Sequence, residues 1–327
     1  MRYIAYGGDG GAASLHIEQA PAPTPASGEV LIEVHCAGVN RPDIMQRQGR
    51  YPPPPGASPI LGLEVAGIIT ALGEGVSGWQ LGQPVCALVP GGGYAEYCVT
   101  PAGQVLPIPS GLDMAQAGAL PEVWFTVWAN LVGLAALTAG ERLLVHGGSS
   151  GIGLAAIQLA RELGAEVVVT VSSPEKARFC LGFGARAAID YRREDFVAVV
   201  GQLYGGEGLD VVLDMIGAAY LARNVSVLRR DGRLVFIAFQ QGSRGELDLR
   251  EILARRLRLT GSAMRPRSIA EKTAIRDALR QRIWPALEAG RVRSHVHATF
   301  PMDEARRAHE LMERGEHIGK LVLQIKS

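Results

Sequence analysis

The part of this sequence that most constrains its fold is the stretch His146-Gly147-Gly148-Ser149-Ser150-Gly151-Ile152-Gly153. An apolar run, 142–146, precedes it, and apolar residues recur at helical spacing through the segment that follows, 151–163. A strand that turns through glycines into a helix is typical of dinucleotide-binding proteins, because the first amides of the helix can bind a pyrophosphate. The middle position of the usual glycine pattern is here a serine, whose hydroxyl is suited to donate to a phosphate. We predict that a dinucleotide contacts Gly148, Ser149, Ser150, Gly151 and Ile152.

The residues after 121 predict a doubly wound parallel sheet. Apolar, β-branched runs at 142–146, 166–171, 209–214 and 233–239 alternate with helical segments. Strands and helices in alternation form parallel sheets with right-handed crossovers. The strands are apolar almost throughout, as expected where helices cover both faces of the sheet.

The residues before 121 have a different pattern. Between 28 and 111, short apolar strands are separated by Gly and Pro, which favours a small sandwich or barrel. The run 51–56 cannot enter the interior of a sheet because its four prolines lack amide hydrogens, so we expect an exposed loop there. Helical stretches at 268–289 and 303–314 and a strand at 320–325 close the chain.

The second strand of the nucleotide-binding part indicates which cofactor binds. About 20 residues beyond the glycine loop, NAD-binding proteins place an acid that accepts hydrogen bonds from the ribose hydroxyls. Here the strand ends in Val171-Ser172-Ser173, without an acid. Hydroxyl and ammonium groups at this point suit a 2′-phosphate, and Ser173 before Pro174 is also a typical helix N-cap. We predict NADPH as the cofactor, with Ser172, Ser173 and Lys176 at its 2′-phosphate.

Charge and cysteine content exclude several classes of function. The 33 Lys and Arg against 32 Asp and Glu leave a net charge of +1, which argues against a nucleic-acid partner held by bulk charge. No run of about 18 apolar residues occurs, so we expect no membrane partner. The 4 cysteines are scattered, and the first residues lack the apolar segment of a signal peptide. We therefore expect a protein of the reducing cytoplasm.

Two dehydrogenase superfamilies carry a glycine loop of this kind. Short-chain dehydrogenases place it near the N-terminus and use a tyrosine followed four residues later by lysine, a pair that is absent here. The order of a β-rich part, a nucleotide-binding part and a returning tail instead resembles the medium-chain dehydrogenase/reductase superfamily. Segments similar to its quinone oxidoreductases are Gly38-Val39-Asn40-Arg41-Pro42-Asp43, 61–67, 92–97, 145–156 and 318–323.

Within that branch, the segments 45–58, 88–93 and 121–124, together with the serine at 150, resemble the p53-inducible quinone oxidoreductase subgroup. The resemblance implies an α/β chain of two domains. Residues 1–121 and 265–327 would form a GroES-like, β-rich catalytic domain. Residues 122–264 would form a Rossmann domain, a doubly wound parallel sheet that binds NADPH.

The zinc sites of the alcohol dehydrogenases in this superfamily are not preserved in the sequence. Those enzymes hold a catalytic zinc with a cysteine near the position of Asn40 and with the histidine of a Gly-His-Glu motif. That motif here reads Gly62-Leu63-Glu64, and a leucine cannot bind a metal. His295 and His297 lack a third ligand nearby in the sequence. We therefore expect no metal, and we expect Glu64 to be a buried, hydrogen-bonded acid.

The resemblance also implies further site residues, since members of the family bind substrate and nicotinamide between their two domains. Asn40, Asp43 and Tyr51 would line this site from the first domain as catalytic residues, and Asn40 and Tyr51 would also contact the cofactor. We predict that the phenol of Tyr51 contacts the substrate; packing on the proline run is the alternative. From the second domain, Thr126, Phe239 and Met264 would lie near the nicotinamide, and Tyr191 near the adenine ribose.

The implied activity is zinc-independent transfer of a hydride from NADPH to quinones, because a substrate that no metal polarises must itself be electrophilic. The alternative within the same fold is an NADPH-dependent 2-alkenal or enone reductase. An alternative of another class is a low-turnover NADPH-binding protein that senses redox state or contacts RNA. The resemblance also implies a homodimer through the strand at 258–262. The support for RNA contact is a basic cluster, normally a solvated surface, made of Arg255, Arg256, Arg258, Arg265 and Arg267.

Overall fold

The computed structural model describes residues 1–8 and 10–326. The chain divides into two compact units, one of Met1–Phe125 with Arg265–Ser327 and one of Thr126–Met264. The division falls inside a helix that begins at Pro121. We refer to these units as the β-rich unit and the nucleotide unit.

The strands of the described residues follow one another along the whole chain. They are β1 (Arg2–Ala5), β2 (His16–Gln19), β3 (Glu29–Val39), β4 (Glu64–Leu72), β5 (Pro84–Leu88), β6 (Tyr97–Pro101), β7 (Val105–Pro107), β8 (Arg142–His146), β9 (Glu166–Val171), β10 (Ala187–Asp190), β11 (Leu209–Asp214), β12 (Leu228–Phe236), β13 (Arg258–Gly261), β14 (Val296–Pro301) and β15 (Lys320–Gln324).

Helices lie between most of these strands. They are α1 (Arg41–Arg47), α2 (Met114–Ala117), α3 (Pro121–Val127), α4 (Gly151–Leu163), α5 (Pro174–Gly182), α6 (Phe196–Leu203), α7 (Leu221–Val227), α8 (Leu249–Arg255), α9 (Ile269–Arg282), α10 (Trp284–Glu288) and α11 (Ala305–Arg314). The backbone continues from α3 as a π-helix, Trp128–Leu134.

The nucleotide unit, every residue of which is described, contains the predicted parallel sheet. Its strands run in the order β10-β9-β8-β11-β12-β13, and every neighbouring pair is parallel. The chain builds outward from β8 in one direction and from β11 in the other, so the order of the strands reverses between these two. Ligands of such sheets bind outside the carboxyl ends of the strands at this reversal. The glycine loop that follows β8 lies at that point.

The β-rich unit is built around the long strand β3. In the described residues its main sheet has the order β14-β15-β3-β4-β5-β7, and β6 pairs with β3 as well. Val30, Ile32 and Val34 alternate along β3 and are fully buried in the core of this sheet. These two sheets confirm the predicted fold class, a β-rich unit joined to a doubly wound parallel sheet.

Several element boundaries differ from the predicted ones. The first helix, α1, was not predicted. It has only seven residues, and a capping box in which Asp43 accepts from the Asn40 amide fixes its start, rather than a long apolar pattern. β12 begins at Leu228, before the charged triplet 229–231, where a polar sequence hides the strand. The helix predicted over 268–289 is divided at Ile283, two residues before Pro285, into α9 and α10.

The close packing of the glycine loop predicts a sharp difference between two substitutions to alanine. At Gly153 a Cβ would lie 2.3 Å from the Gly148 carbonyl oxygen, whereas at Gly182, near the exposed end of α5, it would meet nothing within 4 Å. We expect Gly153→Ala to lower the free energy of unfolding by about 1–3 kcal/mol or more, and Gly182→Ala to leave it unchanged or raise it by up to about 1 kcal/mol. Urea unfolding measures both, and equal stability of the two variants would contradict the packing described.

Candidate functional site

The glycine loop is held tightly between β8, β9 and the start of α4. The Gly148 amide donates to the Thr170 carbonyl at 2.9 Å, and a Cβ at Gly148 would lie 2.4 Å from Cβ of Val169. Gly147 has a φ of 73°, in the left-handed region that favours glycine. Glycine is therefore the residue that fits at Gly147 and Gly148, where the loop approaches the sheet.

Ser150 is the N-cap of α4. Its hydroxyl oxygen accepts from the Gly153 amide at 3.0 Å, and its proton is donated to the Gly147 carbonyl at 2.7 Å. The hydroxyl is thus used within the loop rather than presented to a phosphate. The first amides of a helix have no carbonyl partner inside it, so the amides of Gly151 and Ile152 are the groups suited to an anion here.

The end of β9 brings the other predicted cofactor residues together. Ser173 caps α5 by accepting from the Lys176 amide at 3.3 Å, and Lys176 is largely buried. The Tyr191 amide donates to the Val171 carbonyl at 3.1 Å, which places Tyr191 beside the start of the Ser172-Ser173 turn. Asp190, the last residue of β10, accepts from the Arg192 amide at 3.1 Å and is therefore used within its own turn.

Sequence reasoning missed two basic residues at this edge. Arg192 and Arg193 follow Tyr191 directly, both are exposed, and Arg193 lies 3.7 Å from the Asp190 carboxylate. The signal was present as a Tyr-Arg-Arg triplet after an apolar strand. Guanidinium groups bind phosphates well, so these residues add to the positive charge around Ser172 and Lys176.

A buried amide joins the π-helix to the end of β13. Asn130 donates to the Thr126 carbonyl at 2.8 Å and accepts from the Ser262 hydroxyl at 2.9 Å. Asn130 was not predicted, although π-helical turns inside helices often mark functional sites. Of the other predicted residues of this unit, Met264 is buried and Phe239 is exposed, with its ring 5.6 Å from that of Phe236.

Asn40 lies at a buried ion pair in the β-rich unit. Its side-chain amide donates to Glu64 at 2.9 Å, and its oxygen accepts from the ammonium of Lys320, which lies 2.7 Å from Glu64. The second oxygen of Glu64 accepts from the Glu122 amide at 2.9 Å. Glu64 is therefore the buried, hydrogen-bonded acid that the sequence predicted. The polar atoms of Asn40 are fixed from inside the protein.

Asp43 is fully buried and serves as an acceptor for three donors. The amides of Asn40 and Gly62 donate to it at 2.8 and 3.1 Å, and the Tyr94 hydroxyl donates at 3.2 Å. Burial raises the pKa of Asp43 to about 6, against these hydrogen bonds and the nearby Lys320, which lower it. Asp43, which the sequence suggests as a catalytic residue, contacts groups that fix the start of α1.

A chain of hydrogen bonds continues from Tyr94 to the surface. Arg47 can only donate, so Nδ1 of His309, 2.9 Å from Nη1 of Arg47, must accept. Nε2 of His309 then carries the proton and donates to the Tyr94 oxygen at 3.1 Å, which leaves the Tyr94 proton for Asp43. Arg47 also pairs with Glu313 at 2.5 Å. Burial lowers the pKa of His309 to about 3, so this ring is neutral near pH 7.

Tyr51 differs from Asn40 and Asp43 in that its polar atom is uncommitted. The ring is half-buried at the start of the proline run, and Cζ of Arg265 lies 5.5 Å from the ring centroid. No hydrogen bond joins its hydroxyl to another residue that the structure describes. Burial raises the pKa of Tyr51, while the positive charge of Arg265 acts to lower it. This phenol is thus available to a ligand.

The basic cluster proposed for RNA contact is mostly paired. Arg255 pairs with Glu251 at 2.7 Å, Arg256 with Asp231 at 2.6 Å, and Arg267 with Glu271 at 3.4 Å. Arg265 differs from an ordinary solvated arginine, since it is 7% exposed and donates to the Pro90 carbonyl.

Residues 1–8 and 10–326 contain no candidate metal centre of three or more ligands. No group of three or more His, Cys, Asp or Glu side chains in this part of the chain is placed to hold a metal ion. None of its helices is both long and apolar enough to cross a membrane. His146, which precedes the glycine loop, is a buried core residue with ring nitrogens 3.0 Å from the Thr170 hydroxyl and 2.7 Å from the Asn224 oxygen.

Two family models match the chain. Residues 26–110 match the alcohol dehydrogenase GroES-like domain, and residues 151–280 match the zinc-binding dehydrogenase model. The quinone oxidoreductase of Rattus norvegicus is 31% identical over 305 residues, which cover 92% of this chain and 90% of that protein.

Solved structures of the same fold include two kinds of reductase. The quinone oxidoreductase of Escherichia coli, complexed with NADPH, has a TM-score of 0.88 and 27% identity, covering 99% of this chain and 100% of that one. The CurK enoyl reductase has a TM-score of 0.86 and 27% identity, covering 99% of each chain.

The neutral ring of His309 predicts a specific dependence of stability on pH. Its pKa in the folded state, about 3, lies below its ordinary value of 6.5, so the unfolded chain binds a proton that the folded chain does not as the pH falls from 6.5 toward 3. This group therefore costs stability below about pH 6.5, with a slope of up to about 1.4 kcal/mol per pH unit. A glutamine can accept from Arg47 and donate to Tyr94 but cannot titrate.

We therefore expect His309→Gln to lose less stability than the wild type between pH 7 and pH 5 in urea unfolding. Asp43, whose pKa is raised to about 6, contributes with the opposite sign in the same range. That contribution is common to both proteins and cancels in the comparison. Identical losses in the two proteins would contradict the neutral, buried imidazole.

Proposed function

The chain belongs to the quinone oxidoreductase family of the medium-chain dehydrogenase/reductase superfamily, and from this we propose that it transfers a hydride from NADPH to a quinone. The observation that carries the cofactor assignment is the pairing of the glycine loop with the acid-free end of β9. The NADPH complex of the similar Escherichia coli enzyme supports it. Bound NADPH would supply the hydride; the protein supplies binding, orientation and charge.

The residues that would hold NADPH are those of the carboxyl edge of the parallel sheet. The amides of Ser149, Gly151 and Ile152 suit the pyrophosphate. Gly148 and Ser150, the N-cap of α4, fix the conformation of the loop. The hydroxyls of Ser172 and Ser173 and the ammonium of Lys176 suit the 2′-phosphate, beside Tyr191 and the arginines that follow it. Thr126, Phe239 and Met264 remain the residues proposed for the nicotinamide.

The β-rich unit supports an electrophilic substrate. Leu63 stands where zinc-dependent relatives have a histidine, and Asn40 is engaged with Glu64 and Lys320. A carbonyl substrate would therefore meet hydrogen-bond donors of the protein rather than a metal held by these two positions. Quinones and conjugated enones accept a hydride under such conditions far more readily than simple ketones do.

A second candidate function is the reduction of an activated carbon–carbon double bond. The likeness to the CurK enoyl reductase favours it, since the level of identity equals that to the quinone oxidoreductase structure. The two functions share the cofactor site and differ in the acceptor, so only the substrate separates them.

We also propose a homodimer in the cytoplasm. β13 is the end strand of its sheet, and on the preceding helix α8 the side chains of Leu249 and Leu253 are 71% and 82% exposed, one helical turn apart. An unpaired edge beside an apolar face suits a second copy of the chain. The cysteines, Cys36, Cys86, Cys98 and Cys180, are all buried and free, as in reduced proteins.

A matched set of cofactors and acceptors tests the proposed function. We expect kcat/KM to be higher for NADPH than for NADH, because the end of β9 offers hydroxyls and an ammonium group but no carboxylate. With NADPH, we expect turnover of 1,2- and 1,4-quinones to exceed that of 2-alkenals and enoyl thioesters of similar size. A preference for NADH would refute the cofactor assignment, and turnover confined to alkenals or enoyl thioesters would establish the second candidate.

Tyr51→Phe tests whether the free phenol contacts the substrate. The ring and its packing on Arg265 are kept, so only the hydrogen bond is lost. We expect quinone kcat/KM to fall by about tenfold, as for the loss of one hydrogen bond of about 1–1.5 kcal/mol, while the Kd of NADPH stays unchanged. Steady-state kinetics and fluorescence titration measure the two quantities, and an unchanged kcat and KM would mean that the hydroxyl has no such contact.

A further inference from the structure

Arg265 is a buried cation whose hydrogen-bond partners are all neutral. Nε donates to the Pro90 carbonyl at 2.8 Å and Nη1 donates to the Gln46 side-chain oxygen at 2.8 Å. The ring of Tyr51 lies against the guanidinium, with 5.5 Å between its centroid and Cζ. No carboxylate forms an ion pair with Arg265 among the described residues.

One nitrogen of this guanidinium lacks a partner. Nη2 is buried, and no described residue accepts a hydrogen bond from it. Nη2 lies close to the three successive glycines at 91–93, since a Cβ at Gly91 would come within 3.3 Å of it. A buried donor left without a partner destabilises the folded protein, and more so when it is charged. The other two arms of the guanidinium hold it in place, so the free donor keeps a fixed position beside Tyr51.

Three other buried cations of this chain pair with a carboxylate. Arg233 forms a bidentate pair with Glu141 at 2.7 and 2.8 Å, Arg47 pairs with Glu313, and Lys320 with Glu64. Around Arg265 the charge is instead increased, because the ammonium of Lys272 donates to its carbonyl oxygen at 2.8 Å and is itself buried. Burying a cation without an ion-pair partner is unfavourable for folding, so this arrangement points to a use other than stability.

We infer that Arg265 is a catalytic residue, whose Nη2 donates to the substrate oxygen that becomes negative when the hydride arrives. This inference rests on the proposed function and adds the group that stabilises the transition state. The quinone takes up the hydride, a proton with an electron pair, from NADPH, which leaves as NADP⁺. The resulting hydroquinone monoanion then takes one proton from solvent. The countercharge missing from the buried site is thus supplied by the reaction itself.

The position of Tyr51 fits this role. Its ring covers the guanidinium from a loop without helix or strand, 51–56, and a planar aromatic face already packs there. A quinone is planar in the same way, so it would stack where the ring now lies or beside it. Nη2 would then donate to one carbonyl oxygen of the quinone, and the phenol of Tyr51 would remain beside the quinone.

Arg265→Ala and Arg265→Lys test the inference, with Arg267→Ala as the matched control. Arg267 is two residues away but pairs with Glu271 on the surface of α9. We expect Arg265→Ala to lower kcat for quinones by about 10²-fold or more, as for other donors to a developing oxyanion. Arg265→Lys keeps the charge but loses the planar set of guanidinium donors, so we expect an intermediate kcat. The Kd of NADPH should be unchanged in all three variants.

Chemical rescue separates catalysis from folding. Added methylguanidinium should restore kcat of Arg265→Ala in a saturable way and leave Arg267→Ala unaffected. Urea unfolding shows whether the alanine variant is folded, and the lysine variant serves if it is not. A kcat of both Arg265 variants within about threefold of the wild type, or a kcat of the folded alanine variant that methylguanidinium does not raise, would overturn the inference. If no tested quinone serves as an acceptor for NADPH oxidation by the wild-type enzyme, the proposed function is overturned instead.

Discussion

The ion pair between Lys320 and Glu64 is the interaction on which the buried polar network of the β-rich unit depends. It joins β15 to β4 at 2.7 Å inside the core, and Asn40 is hydrogen-bonded to both partners. Two buried charges in contact repay their desolvation only when further hydrogen bonds satisfy them, which the Asn40 side chain and the Glu122 amide do. Asn40 in turn begins α1, and through Asp43 it is tied to Tyr94 and His309. The part of the β-rich unit that carries Tyr51 is therefore joined to a buried network in which these polar side chains have hydrogen-bond partners.

Arg265 is not satisfied in this way. Its Nη2 and the Tyr51 hydroxyl have no hydrogen-bond partner in the described chain. Proteins tend to break the rule of polar satisfaction where function requires it. In the proposed reaction Arg265 offers a fixed positive charge, and the Tyr51 hydroxyl offers an adjustable hydrogen bond. The nucleotide unit shows the complementary arrangement, since its glycine loop leaves backbone amides free for a phosphate while its side chains are used internally.

The sequence predicted those features that depend on neighbours along the chain. The strand, glycine loop and helix at 142–163 were recognisable because apolar spacing and glycine positions are local, and the parallel sheet followed from the alternation of such units. What it could not reveal depends on contacts between distant positions. Gln46 and Arg265 are 219 residues apart, and Tyr94 and His309 are 215 apart. From the sequence Arg265 looked like part of a surface cluster, and nothing local showed that the Gly62 amide and the Tyr94 hydroxyl donate to Asp43.

The central claim is that the site passes a hydride from NADPH to an acceptor that is already electrophilic. Single-turnover oxidation of NADPH, followed in a stopped-flow instrument with protium or deuterium at C4 of the nicotinamide, tests this directly. The account predicts that a quinone accelerates NADPH oxidation and that deuterium slows this step with a primary isotope effect. Oxidation that no quinone accelerates, while a 2-alkenal or enoyl thioester does, would contradict it.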